Sequence, residues 1–321
     1  VKILSPVDSS SEVEILIENG ADELYGGYVP DFWEKKFGPV VSINRRSYRE
    51  ASIRDFREFD AVLEKCWKKD VPFFLALNAP QFPEEDYDTI IDFARECIKL
   101  GVSGFIVSDP ALLLRFSREN LGVEIHASTL LNTFSLATVK FLEKLGVNRV
   151  ILPRELSIRE MCDLAARSGR VRLEAIVLRG KCPNIEGVCG HLHDDPNRCW
   201  PCEMKYSKSW NGQFDGTLVR ETFKSISEWE DLDRYYSCGI CAVPILEKRG
   251  IYTGKIVGRG AETERKVRAI RMVRKIKELC GDEPDLDRCV GIGRSIYVEE
   301  FGFPCQRKNC YFPELFDGQA I

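Results

Sequence analysis

Long hydrophobic runs are missing from this chain of 321 residues. A helix that crosses a bilayer needs about 20 consecutive, mainly apolar residues. No stretch approaches that length, so no membrane span is expected. The opening VKILSPVDSSSEVEIL lacks the basic, apolar and small-residue succession of a secretory leader, and a cytoplasmic protein is expected. An excess of one charge is missing too. Lys and Arg number 46 against 50 Asp and Glu, a net −4, and the pI is near 5.7. That balance gives no general basic field for nucleic acid or an anionic membrane. Only three histidines occur, His126, His191 and His193. They form no H-E-x-x-H, and no Ser/His/Asp arrangement is visible, so the common hydrolase signatures are absent. No G-x-G-x-x-G follows an early strand, which weakens a dinucleotide-binding reading. Low-complexity segments and long linkers are also lacking.

Cysteine is abundant, with 13 residues. An odd count without a leader argues against a disulfide framework. In a reducing compartment, clustered cysteines point to metal binding or redox chemistry. Six fall between Cys182 and Cys241, at C-x6-C-x9-C-x2-C-x35-C-x2-C. Their neighbours are Gly, Pro and Asn, which make loops. Thiolates bind soft metals, and a [4Fe–4S] cluster takes four of them. The first reading is therefore an iron–sulfur cluster. Structural zinc through the close pairs Cys199/Cys202 and Cys238/Cys241 is the alternative, and thiols without metal are a third. A further set, Cys280, Cys289, Cys305 and Cys310, lies near the C-terminus and raises a second centre. Its alternative is free thiols or a redox pair. Cys66, Cys97 and Cys162 fall within amphipathic helices and read as core thiols.

The remainder alternates short apolar strands with helices. Strands are expected at Lys2–Leu4, Ala21–Tyr25, Pro72–Leu77, Gly104–Val107, Glu124–Ala127, Arg149–Leu152, Leu173–Val177 and Lys255–Val257. Most are followed by helices with apolar residues at i, i+3, i+4, i+7 spacing, clearest in 84–100. Ser157 with Glu160 three residues on is a capping box. Such βα alternation calls for parallel strands with helices outside, and eight units favour a closed (β/α)8 barrel. The barrel spans 1–280. A cysteine-rich insertion follows its seventh strand at 178–254, and 281–321 form a tail.

In a barrel of this kind the chemistry sits at the C-terminal ends of the strands. Asn78, Asp109, Ser128, Arg154, Glu155 and Arg259 would ring that mouth. Guanidinium groups there suit an anionic substrate, although Arg154 and Glu155 also suit a structural pair. His126 lies inside a strand, where a satisfied core group is the default. The last barrel helix carries Arg265, Lys266, Arg268, Arg271, Arg274, Lys275 and Lys277. That row reads either as a solvated outer face or as a nucleic-acid surface.

Four segments carry a resemblance to the U32 peptidase (collagenase-like) family: ILSPVDSSSEVEILIENGADELYGG, IHASTLLNTFSLATVKFLEKLGVNRVILPRELSIREM, EAIVLRGKC and KIVGR. The resemblance runs over about residues 2–275 and implies a TIM-like barrel. It implies oxygen-independent hydroxylation or redox chemistry, with prephenate linked to it as oxygen source. It also implies a [4Fe–4S] cluster on Cys182, Cys189, Cys199 and Cys238, with Cys202 and Cys241 as spares. Arg154, Arg259 and Arg45 would hold the anionic substrate beside Asn78, Ser128 and Glu155, while Glu174 or His126 would manage protons. Leu178, Arg179 and Leu130 replace the family's His, Gly and Gln, which suggests a different substrate. Without the large C-terminal extension of the RNA-modifying members, the resemblance is closer to the short hydroxylase-type members. A small-molecule, peptide or protein-bound substrate is then expected over nucleic acid. The rival readings are a literal peptidase, and a non-catalytic iron–sulfur subunit working with a protein partner or a homologous subunit.

Overall fold

The computed structural model describes residues 1–38, 42–46, 49–182, 185–189 and 234–316. Eight parallel strands close into a barrel in sequence order, β1 to β8, with β8 paired back to β1. They are β1 (Lys2–Pro6), β2 (Glu23–Gly26), β3 (Phe73–Leu77), β4 (Gly104–Val107), β5 (Glu124–Ala127), β6 (Arg149–Ile151), β7 (Arg172–Leu178) and β8 (Thr253–Ile256). The expected fold is thus the observed one, and the strand positions agree to within a residue or two.

The outer wall consists of α1 (Ser10–Glu18), α2 (Asp31–Phe37), α3 (Phe56–Lys68), α4 (Tyr87–Lys99), α5 (Pro110–Glu119), α6 (Leu136–Lys144), α7 (Ile158–Ala165), α8 (Val243–Lys248) and α9 (Thr263–Cys280). Side-chain caps start several of them. Asp55 accepts from Glu58 N at α3, Asp109 from Ala111 N and Leu112 N at α5, and Ser135 from Thr138 N at α6. The capping box of Ser157 and Glu160 at α7 is formed in both directions.

Three features differ from the sequence expectation. The long segment after β2 holds α2, which follows Pro30 at its N-cap position. The insertion after β7 ends in α8, so the seventh unit has its own wall helix. The C-terminal residues are more than a tail. They form α10 (Leu286–Phe301), capped by Asp285, which accepts from Arg288 N. Beyond α10 the chain returns to the barrel mouth. There Cys310 pairs with Cys238 in a parallel bridge, and Tyr311 Oη donates to Arg179 O at 2.5 Å.

The basic row of α9 serves as a suture. Lys266 is buried and reaches Asp8 Oδ2 at 2.5 Å and Glu12 Oε2 at 2.7 Å. Arg271 Nε donates to Asn19 Oδ1 at 2.7 Å, Lys277 Nζ to Val1 O at 2.6 Å, and Lys275 pairs with Glu299 at 2.5 Å. These contacts tie α9 to α1, α10 and Val1, while Arg265, Arg268, Arg271 and Arg274 remain exposed.

The barrel interior is unusual in its charge. Barrels of this type are generally filled with branched apolar side chains. Here Glu23, Arg149, Glu174 and Lys255 project inward from β2, β6, β7 and β8. Arg149 donates to both oxygens of Glu23, at 2.6 and 3.0 Å, and to Glu174 Oε2 at 3.2 Å. Its guanidinium also lies 5.0 Å from the Phe74 ring and 5.2 Å from that of Tyr252. A buried charge is tolerated only when paired and hydrogen-bonded, and this one has carboxylates on two sides.

Candidate active site at the barrel mouth

A cavity of about 400 Å³ opens at the C-terminal ends of the strands. Its floor is apolar where Ala76, Ile106, Ile151 and Ile176 meet, and its sides carry Arg46, Arg154, Arg179, Lys181, Lys255 and Arg259. Glu186 and Glu262 are the acidic side chains of the lining, among the described residues. The charge is therefore strongly positive over a hydrophobic base.

Local geometry aims the arginines. Arg259 follows β8, and its Nη2 donates to Asn44 O at 2.8 Å. It fits there because Gly27 has no side chain: a Cβ on Gly27 would stand 2.4 Å from both Arg259 Nη1 and Asn44 Nδ2. Arg154 pairs with Glu186 at 3.1 Å, not with Glu155, and donates to Gly180 O. Arg179 has φ 62°, a left-handed conformation that favours glycine. Its Nη2 donates to Arg265 O at 3.2 Å. Buried polar atoms without a partner among the described residues gather around this cavity: Asn78 Oδ1, Arg154 Nε, Arg179 Nε and Glu186 Oε2. Orphaned polar atoms in a cavity are what a polar ligand satisfies.

Of the residues expected at the mouth, Arg154, Arg259, Asn78 and Ser128 line the cavity. Ser128 also caps the turn Thr129–Leu131 by accepting from Leu130 N. Asp109 is occupied elsewhere, accepting from Phe82 N at 2.8 Å and Tyr87 Oη at 2.9 Å. Glu155 is exposed and outside the lining. Arg45 is likewise outside it. Arg46, the next residue, lines the cavity in its place.

The two residues expected to manage protons lie beneath the cavity floor. His126 is fully buried, with its ring 4.3 Å from that of Phe74 and Nε2 2.8 Å from Glu124 Oε2. Burial lowers its pKa and keeps the imidazole neutral. Glu174 is also fully buried, between Lys255 and Arg149. Burial opposes its ionisation, but the charges of Lys255 and Arg149 outweigh burial and hold its pKa below the usual value. Lys255 is what the sequence reading missed. Its Nζ donates to Glu174 Oε1 at 3.0 Å, lies 4.2 Å from the Tyr25 ring centre, and belongs to the cavity lining. Burial brings its pKa below that of an ordinary lysine, with Glu174 pulling the other way. A charged residue within an apolar strand was the available signal.

The cysteines separate into groups. Cys182 lines the cavity, and Cys189 follows the turn Glu186–Val188, half-buried. Cys199, Cys202, His191 and His193 lie outside the described residues. Cys238 is buried, and its pairing is with Cys310. The C-terminal set is not one group. Cys289 sits in the first turn of α10, whereas Cys305 follows its last turn and its thiol lies beside Arg294. Cys289 instead faces Cys280 at the end of α9. Burial first, and then the neighbouring Cys280, push its thiol up to about 12. Cys66, Cys97 and Cys162 are buried in wall helices, as expected. Among the described residues, no three His, Cys, Asp or Glu side chains gather closely enough to hold a single metal ion. No described helix is long and apolar enough to cross a membrane.

Comparison with known proteins finds relatives of this chain. A tRNA hydroxylation protein P of Haemophilus influenzae is 28% identical over 203 residues, covering 61% of this chain and 40% of that protein. The tRNA hydroxylation protein P1 of Bacillus subtilis is 22% identical over 297 residues, covering 88% of this chain and 64% of that protein. A collagenase of Porphyromonas gingivalis is 26% identical over 200 residues, covering 59% and 44%. The chain thus spans about two-fifths of the length of the first of these relatives. The family model described as peptidase family U32 matches residues 8–289, nearly the whole barrel and the start of α10. On that extent of match, the chain belongs to peptidase family U32.

Proposed function

We propose that this chain carries out hydroxylation-type redox chemistry on a small organic anion, or on an anionic group of a larger substrate, held in the barrel mouth. The observation that carries the reading is the cationic cavity over an apolar floor, with Cys182 in its wall. Arg154, Arg179 and Arg259 would fix a carboxylate or phosphate by charge-assisted hydrogen bonds. Ala76, Ile106, Ile151 and Ile176 would take the apolar body and keep water from it. Lys255 is the lining lysine that Glu174 holds from behind, setting its charge and orientation. The hydroxylation names of two relatives support the reaction class.

Cys182 and Cys189 offer soft thiolate donors at the rim, which suits the [4Fe–4S] cluster that the family resemblance implies; zinc is the competing occupant. Bound there, such a cluster would supply one-electron redox chemistry beside the substrate. The test begins with anaerobic purification and iron, sulfide and zinc analysis. Small carboxylates, phosphates and tRNA are then titrated calorimetrically. The reading expects iron, and a small anion whose affinity falls at least tenfold in Arg259→Gln and with added salt. Zinc without iron, or binding of tRNA with no response to any small anion, would overturn it.

A further inference from the structure

Two lysines line the mouth cavity among the described residues, Lys181 and Lys255. They are held differently. Lys181 is committed to the C-terminal segment, where its Nζ donates to the carbonyl oxygens of Lys308 and Cys310. Lys255 projects inward from β8, in register with Ile176 of β7. Its side chain is buried, and its Nζ meets a carboxylate, Glu174 Oε1, at 3.0 Å. Glu174 and Ile176 are successive inward residues of β7. The carboxylate therefore sits one layer beneath a floor residue, while the lysine belongs to the cavity lining itself.

We propose that Lys255 is a catalytic nucleophile that forms a Schiff base with a carbonyl compound carrying an anionic group. The inference rests on the reading of the mouth as a small-anion site, and it names the class of that anion. Catalytic side chains of such barrels come from the C-terminal ends of the strands, where Lys255 stands. A lysine is activated for attack on a carbonyl when it is desolvated or set near another cation. Both conditions hold. Burial lowers the pKa of Lys255 against the pull of Glu174, and the charges of Arg149 and Arg259 add to the lowering. Ala76, Ile106, Ile151 and Ile176 supply the apolar floor that keeps water from the imine.

The step balances within the site and needs no oxidant or reductant. Glu174 takes a proton from the Lys255 ammonium, which frees the lone pair on Nζ. That pair forms a C–N bond to the carbonyl carbon, and the carbonyl π pair moves onto oxygen. A proton passes from nitrogen to that oxygen to give the carbinolamine. Glu174 then returns its proton to the hydroxyl, which leaves as water while the C=N bond forms. The product is a protonated imine beside an ionised Glu174. It carries the charge that the ammonium carried, so the buried carboxylate keeps its partner. Arg149 holds the other oxygen of Glu174 throughout, with Nη1 at 3.2 Å from Oε2. Arg154, Arg179 and Arg259, in the same lining, take the acid group by charge-assisted hydrogen bonds.

Reductive trapping on the anaerobically purified full chain tests this. The probes are pyruvate and 4-methyl-2-oxopentanoate, which carry a carboxylate, and dihydroxyacetone phosphate, which carries a phosphate. Each is incubated briefly with the protein and sodium cyanoborohydride, and the peptides are then mapped by mass spectrometry. Reduction fixes the imine as a secondary amine, so the labelled lysine gains the mass of the probe, as its free acid, less one oxygen atom. Lys255 is expected to carry this gain at a level at least about tenfold above any other lysine, with the carboxylate or the phosphate probes. Lys255→Arg keeps a cation beside Glu174 and is expected to lose the label. Label spread evenly over surface lysines, or centred on Lys181, overturns the proposal.

Calorimetric titration of the same probes separates this inference from the anion reading beneath it. A probe that binds without labelling Lys255 overturns the imine and leaves the anion site standing. Labelling of Lys255 in a chain that carries no iron supports the imine and counts against the hydroxylation reading. If no probe binds or labels, both fall. Should Lys255→Arg fail to fold, the wild-type peptide map still answers, because it names the labelled residue directly.

Discussion

Lys255 Nζ lies 3.0 Å from Glu174 Oε1 inside the barrel, and of the two only the lysine reaches the mouth cavity. The carboxylate has Arg149 on its far side at 3.2 Å. Removing the lysine therefore leaves a buried carboxylate with one cation in place of two. Lys255→Met is expected to lower stability by about 3 kcal/mol, the scale for breaking a buried ion pair from one side. Pairing it with Glu174→Gln is expected to recover part of that loss, because the uncompensated charge is gone. Urea unfolding midpoints check both. Equal instability of the single and double variants would show that Arg149 alone satisfies Glu174.

Stability should also respond to acid through Glu124. Burial works against this carboxylate, but hydrogen bonds from His126 and Arg172 outweigh it and bring its pKa to about 2. Its folded pKa lies below its unfolded value of 4.5. Its contribution is thus fully present above the unfolded value and is lost as pH falls toward the folded one. Wild type and Glu124→Gln should differ in unfolding free energy near pH 6 and converge as the pH approaches about 2. A constant gap over that range would refute the assignment.

The barrel was legible because each unit carries its own punctuation. Gly20, Gly101 and Gly146 end helices with positive φ, and Asp109 and Ser157 begin them. The arginines Arg154 and Arg259 were legible because they follow strands directly. Other features depend on tertiary context. Lys255 and Arg149 look like ordinary strand charges until barrel closure brings Glu174 and Glu23 against them from other strands. The helix of the C-terminal segment was hidden by Gly291 and Gly293, poor helix formers, whose use at Gly293 appears only once Cys241 is beneath it. The partnership of Cys238 with Cys310 depends on a bridge across about 70 residues of chain, which spacing alone does not reveal.

Gly27→Ala tests how the second strand's loop positions the cavity. The new methyl would meet Arg259 Nη1 and Asn44 Nδ2 at 2.4 Å. The guanidinium can swing aside, whereas the backbone has less freedom. Affinity for the anion that the cavity binds is expected to fall about tenfold, with a stability change of about 1 kcal/mol. Calorimetric titration beside thermal melting separates the two, and a variant that binds normally would show that Arg259 does not contact the ligand.

The capping box at α7 offers a test remote from the cavity. Ser157→Ala removes the acceptor for Glu160 N and the hydroxyl that donates to Glu160 Oε2, while the backbone N–H of residue 157 still donates to that carboxylate. A loss of about 1 kcal/mol is expected, with anion binding unchanged. A larger effect on binding than on stability would mean that α7 transmits strain to Arg154 through the loop that precedes it.

Arg179 combines a backbone burden with a charged contact, and Arg179→Gly separates them. At φ 62° a side chain is disfavoured by about 1–2 kcal/mol, which glycine relieves. Against this, the variant loses hydrogen bonds to Tyr235 O and Arg265 O, each contributing about 1 kcal/mol, and adds flexibility to the unfolded chain. These effects nearly cancel, so the melting temperature is expected to move by less than about 4 °C. Anion affinity has no such compensation, because a cation of the cavity wall is removed, and a loss of at least fivefold is expected. Arg179→Asn, which tolerates the left-handed backbone without the charge, should weaken binding equally. If both variants melt more than about 5 °C lower while binding is unchanged, Arg179 braces the junction of β7 with the C-terminal segment and takes no part in holding the ligand.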